Sequence, residues 1–505
     1  MHEETVIQIA KTLFYEKALA KIDGEFVGAL AAIPGKAVSS DLNYSEIFIR
    51  DNVPVMIYLL IEGKYEIVRR FLETCLRLQS EQFQTRGIFP TSFVDSEGGL
   101  VADYGQRAIG RVCSVDASLW WMILAHIYVQ RTNDLEWATL PEVQLGIQSF
   151  LNLILHPSFR DSPTLFVPDG AFMIDRPLDV WGNPLEIQVL LYGALLSAAG
   201  LLRLDLAAKG YLNQQNQVLK PHLNDTAAEL QIYQLEYAIA WLVRLRCYLL
   251  KHYWVNAKGI QMLRRRPTEQ YGDEVMNEHN IQTETIPHWL QDWLGERGGY
   301  LIGNIRTGRP DFRFFTLGNC LGAIFDAISP NQQRSLFSLV LLNRSSLFGQ
   351  MPLRICHPPL DDGDWRKKTG YDRKNLPWCY HNAGHWPSLP WFFAVATLRH
   401  KLHYNQTPAD SASINVLLQD TYEVMLQRLP QQKWAEYFDG PTGVWIGQQA
   451  RLYQTWTIVG FLLVHHFLKV NPDDANIMDL PSLKSLCSLK FLSYEQELAR
   501  SSYVI

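Results

Sequence analysis

The chain has 505 residues, 46 Lys+Arg against 51 Asp+Glu for a formal charge of −5, and 47% hydrophobic against 19% charged residues. That is the composition of a globular chain with material for a large core, not of a disordered one. A mildly acidic chain lacks the basic face that nucleic acid demands. The apolar stretches 53–61 and 119–129 fall short of the roughly 20 residues that cross a bilayer, so neither nucleic acid nor membrane is an expected partner.

Residues 1–21 are amphipathic and carry Glu3, Glu4 and Glu16. Transit peptides are poor in acidic residues and secretory leaders need a continuous apolar core, so the segment reads as the first helix of a cytoplasmic protein. Ile67, Val68, Phe71, Leu72, Cys75 and Leu76 recur at helical spacing with Arg69, Arg70 and Glu73 between them, which predicts an amphipathic helix. Residues 116–129 predict a mostly buried helix and 187–204 another. Residues 226–253 predict a long one, with Ile232, Leu235, Ile239 and Leu242 on one stripe and Asn224 or Asp225 as its cap. Further helices are expected over 332–341, 391–402, 414–429 and 454–470, with short strand pieces at 300–304 and 312–316. No Pro/Ser linker divides the chain. The expectation is a single all-α catalytic domain over 1–470, a polar insertion at 204–225, and a tail at 471–505 packed outside or partly disordered.

The seven cysteines are scattered, odd in number and without a CxxC pair, which fits neither a disulfide framework nor a zinc site. The two histidines of HHFLK at 465–469 lack metal-binding spacing, and no GxSxG, GxGxxG or phosphate loop occurs. No metal and no cofactor are expected.

The loops between helices concentrate aromatic residues beside carboxylates, as in 168–188, 376–391 and 433–456, where Trp181, Trp378, Trp386, Trp391, Trp434, Trp445 and Trp456 fall. Sugars ask for that pairing: ring C–H faces stack on aromatics, and hydroxyls need polar partners. Glycoside hydrolysis further needs two carboxyls across the scissile bond. Asp175 in FMIDRP and Glu436 in KWAEYFDG are candidates, as are Asp51, Asp116, Asp179, Glu186 and Asp439. Spacing does not choose among them.

Seven stretches in order resemble the alkaline/neutral invertases, glycoside hydrolase family 100. They include LNYSEIFIRDNVP (42–54), AIGRVCSVDASLWW (108–121), DGAFMIDR (169–176), NPLEIQ (183–188), LPWCYHNAGHWPSLPW (376–391) and WAEYFDGPTGVWIGQQARLYQTW (434–456). The resemblance implies an (α/α)6 barrel that hydrolyses sucrose to glucose and fructose without metal or nucleotide, by inversion at the glucosyl carbon. It implies Asp175 as general acid and Glu436 as general base, about 6.5–9.5 Å apart. It further implies sugar contacts from Tyr44, Arg50, Asp51, Asp116, Trp120, Gln188, His381, Asn382, Trp386, Arg451, Gln454 and Trp456. A homo-oligomer is compatible with a large enzyme of this kind.

The chain departs from the family pattern in three loops. A second Arg gives way to Pro177, and Asp179 is added. Asn-Gly-Gly-Ser-Trp becomes Asn382-Ala383-Gly384-His385-Trp386, and Gly-Asn-Leu-Trp-Ser becomes Gly318-Asn319-Cys320-Leu321-Gly322. These changes keep open a different small α-glucoside, or a sugar-binding paralogue without catalysis. His385, titratable near neutral pH, is expected to influence leaving-group fit or pH optimum.

Overall fold

The computed structural model describes residues 2–34, 44–106, 113–156, 163–222, 225–269, 285–306, 309–404, 408–439, 442–444 and 450–491. Helices carry most of it; besides Ala257–Glu269, twelve build the frame of the molecule: α1 (Glu3–Thr12), α2 (Asn52–Ile61), α3 (Tyr65–Arg77), α4 (Val115–Thr132), α5 (Pro141–Ile154), α6 (Leu185–Ala208), α7 (Thr226–Tyr248), α8 (Thr316–Ile324), α9 (Pro330–Leu342), α10 (Pro390–His403), α11 (Pro408–Arg428) and α12 (Thr455–His465). Their ends follow local chemistry. Asp225 caps α7 by accepting the Ala228 N–H at 3.0 Å, and Ser329 and Gln332 form a capping box on α9. Proline opens α5, α9 and α10, where its missing N–H costs no hydrogen bond.

Six of these helices are apolar nearly all round and buried. They pack in succession, α2 on α4, α4 on α6, α6 on α8, α8 on α10, α10 on α12, and α12 back on α2. The other six lie against them with one apolar stripe inward. On α3 that stripe is Val68, Phe71, Leu72 and Cys75, the periodic set visible in the sequence. Among the described residues α6 alone is long and apolar enough to cross a membrane, yet its most apolar window is entirely buried among neighbours. Its apolar run exceeds the two stretches that stand out in the sequence. Close packing there requires glycine: a Cβ on Gly200 would meet Pro481 at 2.7 Å and His126 at 2.9 Å.

The all-α expectation needs correction. Five strands form an antiparallel sheet: β1 (Asn183–Pro184), β2 (Trp254–Asn256), β3 (Gly299–Arg306), β4 (Arg309–Phe315) and β5 (Cys356–His357). The order is β5-β4-β3-β1, with β2 also on β3. β1 runs directly into α6 and β4 into α8, so the sheet covers the N-terminal ends of two buried helices. Both strand pieces seen in the sequence belong to it. A second sheet, Ile47–Phe48 with Ser92–Ser96 and Gly99–Asp103, lies before α2 and α4.

α6 continues to Ala208, so the polar insertion begins later than expected. Its Gln217–Val218 strand pairs in parallel with Lys490–Phe491. Residues 472–491 lie against the helices through Asp474, 2.8 Å from His466 and 3.3 Å from Arg131, and Asp479, 2.5 Å from Arg399. The rest of the tail, 492–505, lies outside the described residues.

Candidate active site

A cavity opens where the N-terminal ends of the buried helices meet. Arg50 and Asp51 reach it from just before α2, Ser114 from just before α4, and Gln454 and Trp456 from the start of α12. Two further segments bring the candidate carboxyls: 169–176 brings Asp175, and 433–439 brings Glu436. Tyr380, His381 and Trp386 form an aromatic side. His381 stacks on Tyr380 at 4.0 Å and on Trp386 at 5.3 Å between ring centroids, and Trp456 meets Trp386 edge-on.

The two candidate carboxyls have different surroundings. The Tyr44 hydroxyl donates to Glu436 Oε1 at 2.9 Å, and the Arg451 N–H donates to Oε2 at 3.2 Å, which orients the group. Arg451 itself lies over the Tyr44 ring at 4.5 Å. Asp175 Oδ1 is enclosed and meets no hydrogen-bond partner among the described residues. It faces His381 Nδ1 across 3.8 Å, and that nitrogen is likewise unpartnered. Burial pushes the Asp175 carboxyl up to about 6, against the opposing pull of Arg50 and Lys374 and with help from Glu436. Burial also pushes Asp51 up to about 7, offset by Arg50 and reinforced by Glu436 and Asp175. His381 is driven far below its ordinary range by burial, then by Lys374, Arg176 and Arg50, so its imidazole is neutral.

A family model for alkaline and neutral invertase matches residues 11–472. The chain belongs to that family. Neutral/alkaline invertase 1, mitochondrial, of Oryza sativa subsp. japonica is 37% identical over 480 residues, covering 92% of this chain and 69% of that one. Alkaline/neutral invertase E, chloroplastic, of Arabidopsis thaliana is 36% identical over 472 residues, covering 90% and 70%. A solved glycosidase structure superposes with a TM-score of 0.50 at 10% identity over 94% of this chain and 98% of its own, a likeness of fold. This invertase-family chain is a mostly helical glycoside hydrolase.

Of the residues that the family motifs single out, Tyr44, Arg50, Asp51, Asp175, His381, Trp386, Glu436, Gln454 and Trp456 line the cavity together. Arg451 borders it through Glu436 and Tyr44. Gln454, with its amide turned to satisfy both ends, donates to Ala31 O at 2.7 Å and accepts from Trp456 Nε1 at 3.2 Å.

Four others do not line it. Gln188 is fully buried, accepting the Leu165 N–H at 2.7 Å and donating to the Leu165 carbonyl at 2.8 Å. Asn382 spends its amide on Leu360 and on the Asn375 carbonyl. Asp116 accepts from Arg50 at 2.5 and 3.1 Å and from the Ser114 hydroxyl, so it aims Arg50 rather than facing the cavity. Trp120 packs under the floor against Phe392.

The cavity also uses Phe48, Thr91, Gly170, Met173 and Tyr380, which no spacing or charge pattern marks. Gly170 has φ +79, and a Cβ there would press on the Asp175 carbonyl at 3.1 Å. Asp179 and Glu186 are also carboxylates of other kinds. Asp179 pairs with Arg306 and lies 3.7 Å from Lys368, and Glu186 is buried at the start of α6. Trp445 lies outside the described residues. His385 does not reach the cavity lining and is not titratable near neutrality. Burial and Arg354 hold it down to about 3, while its Nδ1–H donates to the Met351 carbonyl and its Nε2 accepts from Arg354 at 3.2 Å.

Proposed function

We propose that this protein hydrolyses sucrose to glucose and fructose by inversion at the glucosyl carbon, with Asp175 as general acid and Glu436 as general base. The observation that carries the assignment is the contrast just described, within one cavity: a carboxyl with one enclosed, unpartnered oxygen, pushed up by burial, and a second carboxyl oriented by two donors. Paired carboxyls in unlike environments divide acid and base duty.

In the reaction, Asp175 gives its proton to the glycosidic oxygen as the bond from glucosyl C1 to that oxygen breaks, and fructose leaves with its hydroxyl restored. Glu436 takes a proton from a water that bonds to C1 from the opposite face, giving β-glucose. Proton exchange with solvent returns both carboxyls to their starting states. Asp175 and His381 stand side by side on the cavity wall, and Tyr380, His381 and Trp386 offer stacking faces to the ring. Arg50, aimed by Asp116, Asp51 and Gln454 supply hydroxyl partners.

The finer architecture we propose is the (α/α)6 barrel, a ring of six buried helices inside six outer ones. The closed order of packing from α2 through α12 back to α2 supports it, and it explains why helix starts and long loops converge at one end.

A proton NMR time course of the protein with sucrose at neutral pH tests the function. Early β-glucose is the expected product. Early α-glucose would overturn inversion, and no glucose from sucrose but release from another α-glucoside would move the substrate assignment. The Asp175→Asn protein should lose activity by about 10³-fold or more with its fold intact.

A further inference from the structure

The turn 372–375 lies outside the cavity lining and outside every stretch that marks the family resemblance, yet Asp372, Lys374 and Asn375 reach the machinery from it. Asp372 accepts both arms of Arg176, the neighbour of Asp175, at 2.5 and 2.8 Å. Asn375 donates to the Pro177 carbonyl at 3.1 Å and accepts the His381 N–H at 3.2 Å, while its own carbonyl accepts from Asn382 at 3.0 Å. Between them stands Lys374, whose N–H donates to Asp372 at 3.1 Å. The Lys374 side chain is only 5% exposed. Its Nζ lies 3.8 Å from the centre of the Tyr380 ring, a ring that faces the cavity and stacks on His381. None of the described carboxylates forms an ion pair with it. A long cation is seldom buried without a counter-charge, because desolvation is costly, so a further role is indicated.

Resting on the acid role proposed for Asp175, we propose that Lys374 is a positioning residue for that acid: the turn clamps the acid loop, and Lys374, buried against the Tyr380 ring, adds a positive charge to its surroundings. The groups that face Asp175 are Arg50 from the start of α2, Arg176 from its own loop, Lys374 from the turn, and Glu436 from the 433–439 segment. His381, Tyr44, Tyr380 and Asp51 complete its surroundings. Of the cations, Arg50 is held by Asp116 and Arg176 by Asp372, which leaves Lys374 as the uncompensated one. Its charge favours the carboxylate and so limits how far burial lifts the acid.

The sign follows directly. Without the cation, Asp175 holds its proton to higher pH, and the step that needs a protonated Asp175 persists to higher pH. In Lys374→Met, the alkaline limb of kcat/KM should move up by roughly half a pH unit or more, while Lys374→Arg keeps the wild-type limb. A purely structural lysine would lower activity or stability without moving the limb. The same variants, labelled with ¹³C at aspartate carboxyls and assigned with Asp175→Asn, report the Asp175 midpoint itself. An unmoved midpoint in Lys374→Met overturns the inference. A midpoint that moves while the kinetic limb stays keeps the inference and removes Asp175 as the acid. If the Met variant does not fold, Lys374→Gln, polar and shorter, is read by the same two criteria.

Discussion

Arg176 gives both arms of its guanidinium to Asp372 and none to the Asp175 beside it. A neighbouring Arg is the simplest partner for a loop carboxylate, and that pairing would have kept Asp175 ionised. Turned to Asp372 instead, Arg176 anchors the loop and leaves Asp175 Oδ1 enclosed and unpartnered. Asp372→Asn keeps the shape of the anchor and removes its charge. We expect kcat to fall about tenfold, as a loosened acid loses its alignment, with KM nearly unchanged. Steady-state kinetics on sucrose with a thermal melt of the same sample checks this; unchanged kcat at wild-type Tm would refute the anchor.

Gln188 makes the opposite point about a polar residue in a family motif. It braces the Leu165 backbone from inside the core, so Gln188→Ala strands a buried N–H and a buried carbonyl. The expected cost is about 2 kcal/mol or more of stability, with kcat/KM at a temperature where the variant is folded within a few-fold of wild type. Denaturant unfolding and initial rates separate the two effects.

What the sequence makes legible follows from geometry. α3 is an amphipathic surface helix, so its period shows its inward face. α6 is buried all round, so its period says nothing about a face, and only its length and apolarity mark it. Of the five-stranded sheet, the two longest strands, Gly299–Arg306 and Arg309–Phe315, show in the sequence, while the other three are two or three residues long and come from as far apart as 183 and 357, too short and too distant for a local pattern. In the site, Asp175 and Glu436 come from motif resemblance, since nothing local ties two loops that meet only in the fold. The motifs do not tell a side chain that faces the cavity, such as His381, from one that braces backbone, such as Asn382. Thr91 carries no mark at all, because backbone position alone brings it to the wall.

Glu186 offers a pH-dependent test. Burial, with Asp116 nearby and against Arg50 and the Met173 N–H, pushes its carboxyl up to about 8, and one oxygen has no partner. In the unfolded chain the group loses its proton near its ordinary value of 4.5. Between those two pH values the folded state binds the extra proton, so this group's contribution to stability falls as pH rises. Glu186→Gln removes that term. Its Tm relative to wild type should climb from about pH 5 to about pH 8 and then level off; a difference independent of pH would show that the group does not titrate in this way.

His385 stands where the family has Ser, and its neutral ring lies between the Met351 carbonyl and Arg354. With its titration held down to about 3, it carries no charge change through the working range. His385→Ser should therefore leave the shape of the pH–rate profile unchanged. It should lower Tm, because Arg354 loses an acceptor in a buried site. A pH profile that moved with this substitution would return His385 to the site.

Ala383 occupies the first glycine of the family's Asn-Gly-Gly stretch and adopts φ +71, a left-handed conformation that costs an L-residue with a Cβ about 1–2 kcal/mol. The next residue, Gly384, has no such choice: a Cβ there would meet the Tyr380 carbonyl at 2.5 Å. The two positions separate backbone strain from steric exclusion within one turn, which carries Tyr380, His381 and Trp386 to the cavity. Ala383→Gly should relieve the strain, less what glycine adds to the entropy of the unfolded chain, for a net gain of about 0.5 kcal/mol with kcat unchanged. Gly384→Ala should push Tyr380 and the stacked His381 out of register, lowering kcat/KM by about tenfold or more. Paired melts and kinetics of the two variants read both effects, and a stabilised Gly384→Ala with full activity would show that the turn does not hold the aromatic wall.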